Sequence, residues 1–506
     1  MRLRFSEQPL FLVLVAVAAA SMLVPAIFAL AIEEFHTARS FFYAGLMGLF
    51  ATLLIALARG KRSLTGRNND LIGLLSLLGT YVLIPAYLAV PFQEALPSTS
   101  FLNSYVEMVS ALTTTGATIF DMPGRLNPAL ELWRAQVGWM GGLLIWVAAA
   151  AVLAPLNLGG FEVTFAAAPG QSDAGITRFQ RADLLRRVVR NTMQLAPVYT
   201  FLTGVLWILL LVNGETTLTA LCHAMSTMAT SGISPVGGLP NAQSGIAGEM
   251  VIFLFLIFAL SRVSFTSDTA VSRFALHQDP ELRLALMIVV GVPLLLFLRH
   301  WIAAFEVDAG ENLMLGLRAL WGALFTVLSF LTTNGFESAD WNAAQVWSGL
   351  NTPGMVLMGL AIMGGGVATT AGGVKLMRVF ALYLNGLREM QKLVHPNSVS
   401  GLGVIARRIG REGAYHAWIF FMLFAMTLAL LMALLTLFGQ GFEQATILSI
   451  AALTSTGPLL ALAGDNPIHL VDLGWQAKLV FAAGTVLGRL ELLAIIALLN
   501  ADLWRD

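Results

Sequence analysis

Long runs of apolar residues are the feature that most constrains this chain. Segments such as PLFLVLVAVAAASMLVPAIFALAI (9–32) and AWIFFMLFAMTLALLMALLTLF (417–438) reach the length of about 20 residues that crosses a lipid bilayer. Only 11% of the 506 residues are charged, whereas soluble domains carry about 25%. The sequence therefore predicts an all-α polytopic membrane protein rather than a series of soluble domains.

About ten segments are long enough to be predicted as full membrane spans. They cover residues 9–31, 41–58, 71–90, 135–155, 194–212, 246–265, 284–300, 353–383, 415–438 and 474–499. The first segment could also be a signal peptide, because Arg2 and Arg4 precede it and ALA follows at 29–31. Its apolar run of about 22 residues exceeds the roughly 7–15 residues of a signal core, so we predict a retained span.

Four further apolar stretches are too short to cross the membrane. They lie at about 101–113, 216–229, 319–331 and 441–453. Stretches of about 10–14 residues are typical of re-entrant or buried helices. Arg and Lys collect around residues 59–67, 178–190 and 388–411, which predicts that these loops and both termini are cytoplasmic. The four short stretches then open from the outer face.

Each short stretch ends in the same kind of motif. The copies are SALTTTGAT (110–118), STMATSGIS (226–234), SFLTTNGFE (329–337) and AALTSTGPL (451–459). Their glycines align as Gly116, Gly232, Gly335 and Gly457. The two preceding columns are polar and hold Thr114 and Thr115, Thr230 and Ser231, Thr333 and Asn334, and Ser455 and Thr456. A simple polar turn would explain one copy, but it would not explain shared columns at the same place in the topology.

The repeated motif predicts four parallel helix–pore loop–helix repeats around a central pathway. Two extra helices in residues 1–62 precede the repeats. The repeats are assigned to 63–190, 191–277, 278–398, which includes an intramembrane gating loop, and 399–506.

The composition of the four loops favours a monovalent cation. Non-helical backbone inside a membrane has to be buried or line a watery cavity, and rings of backbone carbonyls can replace the hydration shell of a cation. The partly negative C-terminal end of each short helix favours a cation as well. The loops contain no ionised side chain except Glu337 at the outer edge of the third. We therefore expect the twelve aligned residues to bind a cation through their carbonyls.

On these motifs the chain resembles the bacterial potassium-uptake transporters of the TrkH/KtrB superfamily over nearly its whole length. The resemblance rests on LTTTGAT (112–118), DPELR (279–283), GLREMQKLVHPNSV (386–399) and GRLE (488–491), and the two leading spans are similar to the TrkH branch. It implies K⁺ bound at the carbonyls of the aligned loops, with four glycines going with potassium selectivity. It also implies a bacterial inner-membrane location, a homodimer, a cytosolic nucleotide-binding TrkA-type regulatory ring as partner, and no cofactor besides the transported ion.

The stretch MGGGVATTAGGVK (363–375) interrupts the eighth long segment. Its five glycines, each costing about 1 kcal/mol in a helix relative to alanine, are Gly364, Gly365, Gly366, Gly372 and Gly373. Small residues could serve close helix packing, or the stretch could be a flexible loop below the filter. The resemblance implies a gate, with Ala368 to Thr370 in place of the family's Ala-Gly-Ser. Lys375 could hold such a loop by bonding to carbonyls or carboxylates.

Arg489 lies near the middle of the last predicted span. A charge at that depth costs about 2.5–3.5 kcal/mol on insertion scales and should face the interior or a cavity. It could pair with Glu491, but residues two apart on a helix lie on different faces. We favour a pore-facing arginine that opposes cations below the filter, and the resemblance implies the same role.

Four other polar residues lie at fixed distances from the glycines. Glu107 and His223 precede their glycines by nine residues; Glu107 could hydrogen-bond the filter backbone from behind, and we interpret His223 as a packing residue rather than a ligand. Asp121 and Asp340 follow their glycines by five residues. They could attract cations to the outer mouth or be ordinary solvated acids.

The function predicted from these patterns is potassium uptake. A sodium-permeable or cation-coupled symporter of the same fold remains open, and an organic-solute transporter is less favoured because it would need inverted repeats. No set of carboxylates, histidines or nucleophiles indicates an enzyme. The net charge of zero argues against a nucleic-acid partner, and the single Cys222 excludes an internal disulfide.

Overall fold

The computed structural model describes residues 9–59, 69–156, 158–161, 163, 184–260, 279–303, 313–350, 352–395 and 411–499. All regular structure in these residues is helical, and they contain no strand. The all-α prediction is therefore confirmed for the described part of the chain.

The α-helices are numbered in chain order. They are α1 (Leu10–Ser21), α2 (Leu23–Ala31), α3 (Phe35–Arg59), α4 (Asn69–Ala95), α5 (Phe101–Leu112), α6 (Pro128–Ala148), α7 (Leu184–Val212), α8 (Thr217–Ala229), α9 (Gly245–Leu256), α10 (Pro280–Ala303), α11 (Leu313–Leu331), α12 (Trp341–Ser348), α13 (Pro353–Met363), α14 (Leu376–Val394), α15 (Arg411–Leu437), α16 (Phe442–Thr454), α17 (Leu459–Leu462), α18 (Trp475–Leu490) and α19 (Leu492–Leu499). Irregular helical turns extend α6 to Leu156 and α9 to Leu260.

The order of helices repeats four times after α3. In each repeat a long apolar helix is followed by a helix that ends at one of the four glycine motifs, and further apolar helices follow the motif. The helices that end at the motifs are called the pore helices, and they are α5, α8, α11 and α16. The 12 residues of α5 are about 18 Å long, which is well short of the roughly 30 Å of a bilayer core.

Capping side chains fix where the first pore helix and its successor begin. The Ser100 hydroxyl accepts a hydrogen bond from the Asn103 amide at 3.3 Å, before the first turn of α5. The side-chain oxygen of Asn127 accepts a hydrogen bond from the Leu130 amide at 2.9 Å, and Pro128 occupies the first position of α6. Both arrangements satisfy amide groups that a helix start leaves free, so the first residue of each helix is fixed.

Eight helices in the described residues are long and apolar enough to cross a bilayer. A ninth is counted if α12 and α13, which meet at 117°, form one bent span. The apolar part of α11, Met314–Leu331, is one of the eight. The sequence predicted only a short re-entrant stretch here, at 319–331, so the helix is longer than predicted. The described residues nevertheless confirm a polytopic membrane protein.

Two of the predicted spans are interrupted, and a third lies only partly within the described residues. The span predicted at 353–383 stops after Met363 at the glycine-rich stretch, and the span predicted at 474–499 breaks at Glu491, whose φ is 64°. The span predicted at 246–265 continues beyond the described residues. Apolar content alone overlooks these breaks because it does not register backbone conformation.

The pore helices lie in the interior of the protein. One large buried cluster includes Met108, Ala224, Leu328 and Leu448, one from each pore helix. Large apolar side chains are exposed instead on the outer helices, such as Phe201 on α7, which is 69% exposed. This pattern suits a bundle whose outer surface faces lipid and whose centre holds the loops.

Some predictions concern residues outside the described part of the chain. The orientation rested on basic residues of which Lys61, Arg62, Arg67, Arg178, Arg181, Arg407 and Arg408 are not described. Of the repeat boundaries, those at 63, 278 and 399 also fall there, and the boundary after residue 190 falls within α7. The orientation and the division into repeats therefore stay predictions.

Candidate ion pathway

The four glycine loops share one unusual backbone conformation. The residue two positions before the glycine has a left-handed φ in every loop. These residues are Thr114 (54°), Thr230 (49°), Thr333 (57°) and Ser455 (54°). A non-glycine residue in this region costs about 1–3 kcal/mol and persists only where its surroundings impose it. The hydroxyl column found in the sequence thus marks a backbone turn that recurs four times.

The amide groups of the loops are turned back toward the pore helices. In each loop the residue before the glycine donates its N–H to the carbonyl of the residue six before the glycine. The pairs are Thr115 to Ser110 (2.8 Å), Ser231 to Ser226 (2.9 Å), Asn334 to Ser329 (2.9 Å) and Thr456 to Ala451 (3.0 Å). Because the acceptor is a backbone carbonyl, alanine serves in the fourth loop as well as serine does in the others. The amide before each glycine is thus satisfied by the pore helix of its own repeat.

The four loops meet in a closed cycle. A Cβ placed on each glycine would collide with an atom of the next loop in order. The collisions are Gly116 with the Ser231 carbonyl, Gly232 with the Asn334 carbonyl, Gly335 with the Pro458 ring and Gly457 with the Thr115 carbonyl. The structure therefore brings the twelve aligned residues together around one axis, and the absence of a side chain at the glycines is what permits this approach.

The fourth loop departs from the other three. Gly116, Gly232 and Gly335 have φ values of 71°, 66° and 80°, whereas Gly457 is outside the left-handed region. The Gly457 amide donates to the Thr115 carbonyl of the first loop at 2.6 Å. Pro458 follows and leads directly into the short helix α17. Among the four loops, the one in which a proline directly follows the glycine is thus also the one with a different geometry.

Side chains nine residues before the glycine support the segment that leaves the loop. The Glu107 carboxylate accepts from the Ile119 amide at 2.8 Å, as predicted, and the Thr326 hydroxyl accepts from the Ser338 amide at 3.3 Å. His223 is fully buried and bonds the Ser234 hydroxyl at 2.9 Å, which fits a packing role. The fourth loop has Leu448 in this column. There the helical turn of α17 supplies the support, since the Leu460 amide bonds to the Gly457 carbonyl.

Glu107 is also part of a buried ion-pair cluster behind the first loop. Its second oxygen lies 2.7 Å from Nε of Arg134, and both side chains are at most 5% exposed. Arg134 is 2.9 Å from Glu131 as well. One helix of the first repeat, α6, is therefore tied through Arg134 to the pore helix and through Glu107 to the loop.

Replacing Glu107 with glutamine will destabilise the protein measurably. Neutralising this buried acceptor removes the charge from its hydrogen bond to Ile119 and breaks its ion pair with Arg134, and a hydrogen bond to a charged group contributes about 1.5–3 kcal/mol. The midpoint of thermal unfolding in detergent will fall. Glu389→Gln is the matched control, because its pair with Lys392 is 37–55% exposed and such pairs contribute roughly 0–1 kcal/mol. If the two variants lower the unfolding midpoint equally, the buried pair contributes no more to stability than the exposed one.

The glycine-rich stretch forms a loop between α13 and α14. The amides of Val374 and Lys375 donate to the carbonyls of Ile362 and Met363, at 2.9 and 3.0 Å, so the two ends of the loop are joined. Gly364 and Gly373 have φ values of 72° and 78°, which ends the helix at this point. We call residues 364–375 the intramembrane loop. The alternative of an unbroken helix with close packing is excluded by this geometry.

The intramembrane loop lies directly against the inner end of the glycine loops. The Gly372 amide donates to the Thr333 hydroxyl at 2.7 Å, and the Thr230 hydroxyl donates to that of Thr370 at 3.2 Å. A Cβ on Gly372 would collide with the Thr454 carbonyl. The intramembrane loop therefore contacts the second, third and fourth glycine loops.

Arg489 and Lys375 both bond to the intramembrane loop. Arg489 Nη1 donates to the Thr370 carbonyl at 2.8 Å, and the Lys375 ammonium donates to the Ala371 carbonyl. Both side chains are at least 93% buried and line one cavity beneath the loop, together with Glu491. The predicted interior position of Arg489 and the predicted carbonyl contact of Lys375 are therefore present in the structure.

The comparisons with known proteins agree with this architecture. The family model for TrkH, described as a cation transport protein, matches residues 245–503, just over half of the chain.

The chain belongs to the TrkH family.

Relatives and a solved structure extend the match to nearly the whole chain. A Trk system potassium uptake protein TrkH from Halomonas elongata is 28% identical over 91% of this chain and 90% of its own length. A protein of the same name from Vibrio parahaemolyticus is 29% identical over 88% of each chain. The crystal structure of the potassium transporter TrkH from Vibrio parahaemolyticus superposes with a TM-score of 0.78 at 25% identity, covering 99% of both chains. The match to a TrkH structure thus covers nearly the whole chain.

Three buried charges of this TrkH family member were missed by sequence reasoning. Glu491 pairs with Arg378 at 2.6 Å rather than with Arg489, and the Arg378 guanidinium stacks on the Phe420 ring at 3.6 Å. Glu281 accepts from the Val367 amide at 3.1 Å and so holds the intramembrane loop from the other side. Neither Arg378 nor Glu281 stands alone in an apolar stretch, since Lys375 precedes the first and Asp279 and Arg283 flank the second, so the sequence does not single them out.

The third missed charge is Glu249, and it lies in the TrkH domain beside the third loop. It is 2% exposed and accepts a hydrogen bond from the Ala339 amide at 2.7 Å. A lone glutamate in GEMVIFLFLIFAL could have been noticed for its cost in an apolar helix. Its hydrogen-bond partner Ala339, 90 residues away in the chain, could not have been predicted from the sequence.

The acidic residues that follow the glycine loops of this TrkH family member have different environments. Asp121 lies 2.8 Å from Nδ1 of His469, linking the first repeat to the fourth. Asp340 is half-buried immediately before α12. Burial raises the pKa of Glu337 above the usual range of a glutamate. Asp121 is therefore engaged with a specific partner, which neither of its two sequence interpretations included.

Proposed function

We propose that this protein carries potassium into the cell through the four glycine loops. The observation that carries the proposal is the closed cycle of contacts from Gly116 through Gly232 and Gly335 to Gly457. It gathers four loops with engaged amides around one axis, so that carbonyls can replace the hydration shell of a cation. The binding groups are the carbonyls of the twelve aligned residues. The relatives' names, which describe potassium uptake, support the choice of ion.

The intramembrane loop and Arg489 form the gate in this proposal. The loop touches three of the four glycine loops on their inner side, so an ion leaving the filter meets it first. Gly364, Gly365, Gly366, Gly372 and Gly373 give the loop its conformational freedom, and Lys375 and Arg489 hold it through carbonyls. Movement of the loop would then set the rate of transport.

Flux measurements on purified protein in liposomes test the proposed function. Radioactive rubidium, as a substitute for potassium, and radioactive sodium are compared under equal gradients. We expect rubidium uptake to exceed sodium uptake by more than tenfold, because carbonyl rings of this kind discriminate between dehydrated monovalent cations. Equal uptake would replace the proposal by a sodium-permeable transporter. Uptake that needs an imposed proton or sodium gradient would identify a coupled symporter.

The proposal includes the cellular setting of the protein. We place it in the bacterial inner membrane with both termini in the cytoplasm, as a homodimer that binds a cytosolic nucleotide-binding ring of the TrkA type and carries out no covalent chemistry. The relatives' Trk system names and the basic loops support this. Light scattering of the purified protein measures the dimer, and a monomer in mild detergent would contradict it.

A further inference from the structure

Glu249 holds the segment that follows the third glycine loop. Its Oε1 accepts from the Ala339 amide at 2.7 Å, and its Oε2 accepts from the Ser338 hydroxyl at 2.7 Å and from the Trp321 indole at 2.9 Å. In the part of the chain that the structure describes, no cation pairs with this carboxylate. Three donors of the third repeat thus converge on one buried acceptor of the second.

The three donors connect the second repeat to the third. Glu249 lies on α9 of the second repeat, Trp321 lies on the third pore helix, and Ser338 and Ala339 lie three and four residues after Gly335. The carboxylate therefore contacts the helix that enters the third loop and holds the segment that leaves it. Hydrogen bonds to an ionised acceptor are roughly twice as strong as neutral ones.

The third loop in turn contacts the second. The Asn334 side-chain oxygen accepts from the Gly232 amide at 3.3 Å, and the Asn334 carbonyl lies where a Cβ of Gly232 would be. A shift of the third loop would therefore move the carbonyls of the second loop as well. The positions of the second and third glycine loops therefore both depend on the segment that follows Gly335.

We infer that Glu249 is a positioning residue that sets the ion selectivity of the filter by fixing the third loop. The inference rests on the proposed function, because selectivity has meaning only if the four loops conduct. Glu249 lies outside the glycine loops and on the neighbouring repeat, and it contributes to the discrimination between cations. Glu249 does not touch the ion and acts only through Ser338 and Ala339.

Glutamine cannot replace Glu249 without a conflict. An amide offers one accepting oxygen and one donating NH₂ group. If its oxygen accepts from Ala339, the NH₂ group faces both the Ser338 hydroxyl and the Trp321 indole N–H. The hydroxyl can turn and accept, but the indole is only a donor. Removing the indole N–H should therefore allow glutamine to fit.

Selectivity measured in liposomes tests this prediction. We expect Glu249→Gln to lower the preference for rubidium over sodium by about tenfold, the scale of one lost charge-assisted hydrogen bond. The double variant Glu249→Gln with Trp321→Phe should recover most of the lost preference, and Trp321→Phe alone should stay near the wild-type value. Ser338→Ala, which removes one donor and leaves the carboxylate in place, should lower the preference by about threefold.

A buried glutamate elsewhere in the second repeat provides the control. Glu215 is 6% exposed and accepts from the Ser244 and Thr216 amides, and it bonds to no glycine loop. Glu215→Gln should keep the wild-type preference. An unselective wild-type protein would refute the proposed function itself. The inference alone would be overturned if the wild type is selective and both Glu249→Gln and Ser338→Ala keep its preference for rubidium. It would also be overturned if the double variant shows no higher preference than Glu249→Gln.

Discussion

Replacing Gly116 with serine will reduce the preference for potassium over sodium by at least tenfold. The new Cβ would collide with the Ser231 carbonyl of the second loop, and it would sit on a residue whose φ is 71°. A displacement of that carbonyl changes the geometry that a dehydrated ion meets. A tenfold change corresponds to only about 1.4 kcal/mol, which is small beside the combined strain and overlap. Rubidium and sodium fluxes in liposomes measure the effect.

Gly124 separates backbone strain from the contact between loops. Its φ is 84°, also left-handed, but a Cβ there would have no atom within 4 Å. Gly124→Ser introduces the same kind of strain in the same repeat without touching another loop. We expect it to keep the wild-type preference. If both variants lose selectivity equally, the contact between Gly116 and Ser231 is not the cause.

Replacing Arg489 with alanine will increase potassium flux by about tenfold or more. The substitution removes a buried cation beneath the filter and the hydrogen bond that holds the Thr370 carbonyl at 2.8 Å. Both effects act in one direction, because a cation in a low-dielectric cavity repels potassium and a released loop no longer covers the pathway. Initial rates of rubidium uptake, normalised to the amount of folded protein, are the measurement.

Two further substitutions separate the charge from the hydrogen bond. Arg489→Lys keeps the charge but loses the planar donor geometry, so its flux should lie between those of wild type and alanine. Lys478→Met removes another cation from the same helix, one bonded to Asn103 and the Val471 carbonyl. Lys478 lies about 16 Å along the helix from Arg489, and its loss should leave the flux unchanged. A wild-type rate for Arg489→Ala would exclude a gating role for this residue.

The sequence predicted the loops well because their cause is local. The hydroxyl residue two positions before each glycine marks a left-handed turn. The backbone hydrogen bond donated by the Thr115 amide, like its three equivalents, links residues only five positions apart. Repetition then revealed the pattern four times. The helix break after Met363 was predictable for the same reason, since the glycines of the intramembrane loop act on their own backbone.

Contacts between repeats were beyond sequence reasoning. Glu491 was considered beside Arg489, yet it pairs with Arg378, 113 residues away. The bond from Gly457 to the Thr115 carbonyl likewise depends on how two repeats meet. Isolated charges in apolar helices indicated that buried partners must exist. Only the packing of the repeats determines which partners they are.

The closed cycle of loops has a consequence for chimeric transporters. Each glycine meets the next loop, which gives four joints around the cycle, including that between Gly335 and Pro458, and Gly232 also approaches Pro458 across the cycle. Exchanging one, two or three consecutive loops with those of a relative cuts two joints in every case. Exchanging the first and third loops together cuts all four. A functional chimera is therefore favoured by exchanging neighbouring quarters, and the number of foreign loops matters less than their order.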